Sequence, residues 1–201
     1  MGNSDSDQDI KIGFSAVDIG DSPNGAYLII LSGLPGTGKS YFAKQLSDVV
    51  PCVVVSSDRV RKALFVYPKY TRNEHARVFS VCHSIIKSLL VQSYKVVFDA
   101  TNLNEEFRRP LYKIADEVGC QFTIVAVSSD IDIVTERLRL RMETENPADY
   151  SDADINVYNF LRIGRQSILE PHICMISPVD NAHVLKEICN RIERAGSLPD
   201  I

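Results

Sequence analysis

From residue 26 onward, the apolar positions form two kinds of pattern along the chain. Five continuous apolar runs of strand length predict five strands. These runs cover residues 26–32, 52–57, 95–100, 120–128 and 172–177. Between them, apolar positions recur at helical spacing. The predicted helices cover residues 40–49, 58–65, 73–92, 104–118, 131–143, 152–167 and 181–195. Strands that alternate with helices indicate an α/β fold, a parallel sheet covered by helices on both faces.

The first 25 residues lack these patterns. They are rich in Gly, Ser, Asn and Asp, and their five acidic residues face one base, Lys11. We therefore predict a flexible acidic N-terminal tail over residues 1–25, with a possible short strand at 10–17, followed by one domain over residues 26–201.

Charge and composition restrict the partners and the cellular location that we expect. The net charge of −4 arises in the acidic tail, and the rest of the chain is balanced, whereas proteins that grip nucleic acid nonspecifically carry a basic excess. No apolar run reaches the roughly 18–20 residues of a membrane span, so we expect no membrane partner. The five cysteines show no CxxC spacing, which fits a reduced, cytoplasmic location.

Residues 33–40, "GLPGTGKS", follow the first predicted strand and open a helix, and they match the pattern G-x-x-x-x-G-K-[ST]. In this pattern glycines let successive backbone N–H groups point at phosphate oxygens, and the helix dipole adds positive charge. Lysine adds a charge on the β- and γ-phosphates, and serine ligates Mg²⁺. We expect ATP contacts from Gly33, Pro35, Gly36, Thr37, Gly38, Lys39, Ser40 and Tyr41.

Two aspartates follow other strands, at the sheet edge where ligands collect in parallel sheets. Asp99 in "VVFDATN" is expected to face the phosphates and, with Ser40, to hold Mg²⁺. Asp58 in "SSDRVRKALF" either accepts the proton of an attacking hydroxyl or only caps a helix. Arg61, one turn further on, would share the face of Asp58 and clamp an anionic group. Ala100 follows Asp99 where a water-activating glutamate would stand, which argues against a hydrolytic motor. The sequence has no [NT]KxD segment to bind guanine, which argues against a GTPase.

The helix predicted at 131–143 carries three arginines, Arg137, Arg139 and Arg141, of which the first and last share a face. A Pro-containing break, "TENPADYSDAD", follows this helix. An arginine-bearing lid neutralises charge on a transferring phosphoryl group and excludes water. A solvated basic helix face would show the same spacing.

These motifs resemble the small P-loop kinases related to the kinase domain of phage polynucleotide 5′-hydroxyl kinase, a group that includes gluconate kinases, zeta-type toxins and chloramphenicol phosphotransferases. The resemblance covers most of residues 26–170. It rests on "GLPGTGKS", "SSDRVR", "DATNLNEEFRRPLYKIADEVG", "IVTERLRLR" and "PADYSDADINVY".

The resemblance implies a P-loop NTPase fold with strand order 2-3-1-4-5 and a small helical lid at about residues 137–155. It implies that Asp58 is the general base and that Arg61 holds a 3′-phosphate of the acceptor. Arg141 would contact the transferring phosphoryl group and Arg137 the region of the nucleotide base. Asp99, Thr101 and Asn102 would border the acceptor pocket.

The sequence therefore predicts an ATP- and Mg²⁺-dependent kinase whose catalytic residues are Lys39, Asp58 and Arg141. The favoured acceptor is the 5′-hydroxyl of a polynucleotide or nucleotide. A small metabolite such as a nucleoside, sugar acid or antibiotic is the alternative acceptor. A nucleotide-binding switch without phosphotransfer is the alternative from another functional class.

Overall fold

The computed structural model describes residues 3–19, 25–144 and 151–196. The strands are β1 (Tyr27–Ser32), β2 (Val53–Ser56), β3 (Lys95–Asp99), β4 (Gln121–Ser128) and β5 (His172–Ile176). The helices are α1 (Asn3–Ser15), α2 (Lys39–Val49), α3 (Ser57–Leu64), α4 (Arg72–Val91), α5 (Glu105–Val118), α6 (Ile131–Thr144), α7 (Ile155–Ile163) and α8 (Asn181–Gly196).

The five strands form one parallel sheet in the order β2-β3-β1-β4-β5, which confirms the predicted strand order. The central strand β1 is buried along its whole length. Its Leu28 and Ile30 pack with α4 residues on one face, and its Ile29 and Leu31 pack with residues of α2 and α8 on the other. Burial on both faces is the reason that this strand is a continuous apolar run.

The N-terminal segment differs from its prediction. Residues Asn3–Ser15 form α1, not a loose tail or a strand, and this helix packs against α3 and α4. Both carboxylate oxygens of Asp9 accept hydrogen bonds from the guanidinium of Arg77, and Val17 is buried in the core. The helix depends on partners about 70 residues away in the sequence, which the local pattern does not reveal.

One prediction near the predicted lid needs adjustment, and another lies partly outside the described residues. The helix expected at 152–167 is α7, Ile155–Ile163, and its N-cap is Asp154, whose side chain accepts from the backbone N–H groups of Asn156 and Val157. Residues 145–150 of the predicted lid lie outside the described residues. In the described ranges, no helix is long and apolar enough to span a membrane.

Candidate active site

The loop between β1 and α2 makes a tight turn that is held by bonds to its own backbone. Gly36 and Gly38 have φ values of 76° and 101°, in the left-handed region that favours glycine. The Lys39 ammonium nitrogen donates to the Leu34 carbonyl at 2.9 Å, and the Thr37 hydroxyl donates to the same oxygen at 2.8 Å. These bonds hold the loop open as a backbone cradle at the start of α2, which is the arrangement that binds phosphate groups.

Gly33 has a packing role at the base of this loop. A Cβ added to Gly33 would lie 2.4 Å from the Val127 carbonyl oxygen, and the Gly33 N–H donates to the Thr101 carbonyl at 3.0 Å. Glycine is needed here because the ends of β1 and β4 approach closely. Gly33 and Thr37 are not among the residues that line the cavity described below.

A cavity of about 1170 Å³ lies over the loop, and it brings together segments from most of the chain. Its walls come from the loop, from the ends of β2 and β3, from α3 and α4, and from α6, α7 and the segment before α7. The predicted site residues that line it are Pro35, Gly36, Gly38, Lys39, Ser40, Tyr41, Asp58, Arg61, Asp99, Thr101, Arg137 and Arg141. The predicted nucleotide-binding and acceptor-binding residues thus share one cavity.

Lys39 and Asp99 form the charged centre of the cavity floor. Burial lowers the pKa of Lys39, while the negative charges of Asp99 and Asp58 act in the opposite direction. Burial raises the pKa of Asp99, opposed by Lys39 and by a hydrogen bond from the Ser40 hydroxyl. An ammonium beside carboxylates at the mouth of a phosphate cradle favours binding of an anionic, metal-bound ligand.

The donor set at Asp99 fits Mg²⁺. Asp99 and Ser40 offer adjacent oxygen atoms, and Mg²⁺ in nucleotide sites takes one or two protein oxygens together with phosphate oxygens and water. Among the residues that the structure describes, no group of three or more His, Cys, Asp or Glu side chains could hold a metal by itself. Magnesium would therefore be held jointly by these two side chains and the nucleotide.

Asp58 lies in the first turn of α3, directly after β2. The helix is capped by Ser56, whose hydroxyl accepts from the Arg59 N–H, so Asp58 is not needed as the cap. Burial raises the pKa of Asp58, and the nearby charge of Asp99 raises it further. The carboxylate also accepts a hydrogen bond from the Ser151 hydroxyl. A carboxylate with a raised pKa in a cavity is suited to accept a proton.

Arg61 has partners within the protein that the sequence did not predict. Its Nη1 donates to Glu74 Oε1 at 2.5 Å, its Nη2 contacts His75 Nδ1 at 3.3 Å, and its guanidinium carbon lies 4.8 Å from the centroid of the Tyr70 ring. The side chain is only 5% exposed and that of Glu74 is 7% exposed. Arg61 therefore lines the cavity as one partner of a buried ion pair, and Glu74 already neutralises its charge.

Glu74, the buried partner of Arg61, is a residue whose role sequence analysis missed. Its carboxylate also accepts from the backbone N–H groups of Lys69 and Tyr70, at 2.7 and 3.2 Å, so it ties the α3–α4 loop to Arg61. The Thr71 hydroxyl accepts from the Glu74 N–H, and the spacing of these two residues matches an ordinary helix cap. That local pattern conceals the longer-range role of the side chain.

The three arginines of α6 face two directions. Arg137 donates to the Gly36 carbonyl of the loop at 3.1 Å, and Arg137 and Arg141 both line the cavity. Arg139 points away and pairs with Glu136 and Glu143 on the exposed face of the helix. The predicted shared face of Arg137 and Arg141 is thus the face directed at the cavity.

Asn102 is a correction. Its side chain is fully buried, and its amide nitrogen donates to the Leu31 carbonyl at 2.8 Å. Its own backbone carbonyl accepts from Ser32 and from the buried guanidinium of Arg108. Asn102 therefore ties β1 to the segment after β3 behind the site, and it does not contact the acceptor pocket. Its neighbour Thr101 does line the cavity.

Comparison with known proteins places this geometry in a family. A family model described as an AAA domain matches residues 28–161, more than half of the chain. The chain is similar to the L-seryl-tRNA(Sec) kinase of Methanococcus maripaludis, with 26% identity over 115 residues that cover 55% of this chain and 44% of that protein. The chain thus spans less than half the length of that relative.

Solved structures show the same fold. Kti12 of Chaetomium thermophilum in complex with ADP-AlF3 matches with a TM-score of 0.66 and 18% identity, covering 82% of this chain and 98% of that chain. The Mycobacterium tuberculosis APS kinase CysC in complex with AMPPNP and APS matches with a TM-score of 0.62 and 16% identity, covering 86% and 99%. At these identities the likeness establishes the fold alone.

Proposed function

The chain belongs to the AAA-domain family, whose model spans residues 28–161, and we propose that it is a kinase that transfers the γ-phosphate of ATP to an acceptor hydroxyl. The arrangement of charged side chains around Lys39 is the observation that supports the proposal. Asp99, Asp58 and Arg141 all act electrostatically on this lysine, and all four side chains line one cavity over the phosphate cradle. A binding module without chemistry needs the cradle but has no need of a second carboxylate, Asp58, that acts on the same lysine.

Each of these side chains has a task in the proposed reaction. Lys39 and Arg141 stabilise negative charge on the transferring phosphoryl group. Asp58 orients the acceptor hydroxyl and takes its proton. Arg137 fixes the Gly36 carbonyl and so the shape of the cradle. Ser40 and Asp99 would hold Mg²⁺, which when bound neutralises charge on the nucleotide phosphates.

The acceptor side of the cavity favours a hydroxyl on a ring-bearing molecule without a phosphate beside Arg61. Aromatic side chains of Tyr70, His75, Phe79 and Phe160 line the cavity, and those of Tyr70 and His75 contact Arg61. The Arg61 charge is already neutralised by Glu74, so a 3′-phosphate would have to compete with a buried carboxylate. We therefore place a nucleoside-like or other ring-bearing alcohol first. A polynucleotide 5′-hydroxyl is the second candidate, supported by the same aromatic rings as stacking surfaces.

The test is transfer of labelled γ-phosphate from ATP, in the presence of Mg²⁺, to matched pairs of acceptors. Each pair contains a nucleoside and its 3′-phosphate, and the panel also holds sugar acids and 5′-hydroxyl DNA and RNA oligomers. We expect label on nucleosides or other uncharged ring-bearing alcohols, with weaker labelling of the 3′-phosphates. Preferential labelling of 3′-nucleotides and oligomers would restore the polynucleotide acceptor. ATP binding without transfer to any acceptor would favour a nucleotide-binding switch.

A further inference from the structure

The segment at 151–154, just before α7, enters the cavity beside the proposed general base. Ser151, Asp152 and Ala153 all line the cavity. The Ser151 hydroxyl donates a hydrogen bond to the Asp58 carboxylate, although the two residues are far apart in the sequence. A hydroxyl of the chain itself therefore lies on the group that we propose to accept the proton of an acceptor hydroxyl.

Two residues that follow Ser151 hold this segment in place. Asp152 accepts a hydrogen bond from the Tyr70 hydroxyl at 2.6 Å and pairs with the Lys62 ammonium at 3.4 Å, so it is bound to α3 and the α3–α4 loop. Asp154 caps α7 through two backbone N–H groups. The bond between Ser151 and Asp58 is thus part of an anchored arrangement and does not depend on one side chain alone.

Ser151 also lines the same cavity as the residues of the phosphate cradle. Its partner Asp58 acts electrostatically on Lys39, the residue that would bind the β- and γ-phosphates. Asp99 and Arg141 act on the same lysine. The Ser151 hydroxyl is therefore bound to a carboxylate that faces the charged groups arranged for phosphoryl transfer, which is the position that an acceptor hydroxyl needs.

From this geometry we propose that Ser151 is an internal acceptor, so that the chain phosphorylates itself at this serine when ATP is bound. The inference rests on the proposed function. Asp58 takes the proton of the Ser151 hydroxyl, whose oxygen forms a bond to the γ-phosphorus of ATP. The bond from that phosphorus to the β–γ bridging oxygen breaks, ADP leaves with its electron pair, and the proton on Asp58 is lost to solvent. The product is phosphoserine at position 151.

The experiment incubates the full chain with γ-labelled ATP and Mg²⁺, and locates the label by peptide mass spectrometry. We expect one phosphate, on Ser151, at a first-order rate that does not depend on protein concentration. Ser151→Ala removes the label, and Ser151→Thr, which keeps a hydroxyl, retains it on threonine. Asp58→Asn slows labelling by about 100-fold or more, as expected for loss of a general base.

Thr144→Ala is the matched control. This threonine also lines the cavity, but its hydroxyl donates to the Leu140 carbonyl of its own helix at 2.9 Å and not to Asp58. Label on Ser151 should persist in this variant. Label on another residue, or a labelling rate that rises with protein concentration, would overturn the assignment of Ser151.

The acceptor panel is run in the same reactions, so that two failures can be told apart. Label on an external acceptor with none on Ser151 would overturn this inference and leave the proposed kinase function intact. ATP binding with no label on either would overturn both. Label on Ser151 that falls as an external acceptor is added would support both, because the two hydroxyls would compete for Asp58.

Discussion

The nucleotide side and the acceptor side of the cavity are held together over very different distances along the chain. In the phosphate cradle, Thr37 and Lys39 bond to Leu34, three and five residues away. On the acceptor side, Arg61 bonds to Glu74 across 13 positions, and Tyr70 bonds to Asp152 across 82. The cradle is closed mainly by local bonds, with Arg137 as a long-range contact at Gly36, whereas the acceptor wall exists only when several segments have folded together.

This difference indicates which side determines what the protein acts on. A cradle closed mainly by bonds within its own loop suits a constant ligand such as a nucleotide. A wall assembled from a buried ion pair, an aromatic loop and a distant serine can change with one substitution in any of these parts. We therefore expect changes on the acceptor side to alter stability and acceptor choice, and changes on the nucleotide side to alter ATP binding and rate.

The largest expected effect is on stability, from Glu74→Ala. Removing this carboxylate leaves the buried guanidinium of Arg61 unpaired, at a cost of about 3–5 kcal/mol in the free energy of unfolding. Urea denaturation measures the loss. Glu136→Ala is the control, because Glu136 pairs with Arg139 on the exposed face of α6, and it should cause no measurable change. Equal stability of the two variants would show that the Arg61–Glu74 pair does not hold the acceptor wall together.

Lys39→Ala should break the nucleotide side without unfolding the chain. Loss of a charge directed at the transferring phosphoryl group should slow transfer by about 10²–10³-fold. The measurement is transfer of labelled phosphate from ATP, either to an external acceptor or to Ser151. Lys44→Ala is the control on the same helix, since Lys44 is exposed and pairs with Asp48. A Lys39 variant that kept the wild-type rate would contradict the assignment of this loop.

Arg137→Ala should have a smaller effect, confined to ATP affinity. Its bond to the Gly36 carbonyl shapes the cradle, and loss of one charge-assisted hydrogen bond of about 1.5 kcal/mol corresponds to roughly tenfold weaker binding. Isothermal titration calorimetry with ATP measures it. Arg139→Ala, two positions along the same helix and facing outward, should bind ATP as the wild type does. Equal weakening in both variants would mean that α6 acts only through its overall charge.

The smallest expected effect is a displaced pH profile. Burial and the charge of Asp99 raise the pKa of Asp58 above the ordinary carboxyl value of 3.8. Protonated Asp58 cannot accept a proton, so transfer should be fully active above this raised pKa and should be lost as the pH falls through it. The acid limb of kcat/KM should therefore lie above pH 3.8. An acid limb at or below that value would remove Asp58 from the role of general base.

The predictability of the molecule from its sequence follows the same division. The strands and the cradle were predictable because buried strands are continuous apolar runs and because the loop motif is local, whereas the strand order was implied by the resemblance to small P-loop kinases. The docked helix α1 was not, since Asp9 is bound by Arg77, which lies in α4. Asn102 follows Asp99 in a motif that suggests substrate contact, yet its side chain bonds to Leu31 behind the site. Long-range pairing determined the placement of α1 and of Asn102, and the spacing of apolar residues in the sequence does not reveal such pairing.

One carboxylate on the acceptor wall, Asp58, takes part in phosphotransfer in the proposed reaction. The most direct test compares ATP affinity and phosphotransfer in the wild type and in Asp58→Asn, which keeps the size of the side chain. We predict ATP affinity within about threefold of the wild type, because Asp58 belongs to the acceptor side, and transfer slower by about 10²–10⁴-fold. Transfer at an unchanged rate would contradict the claim, and so would parallel loss of ATP binding and transfer.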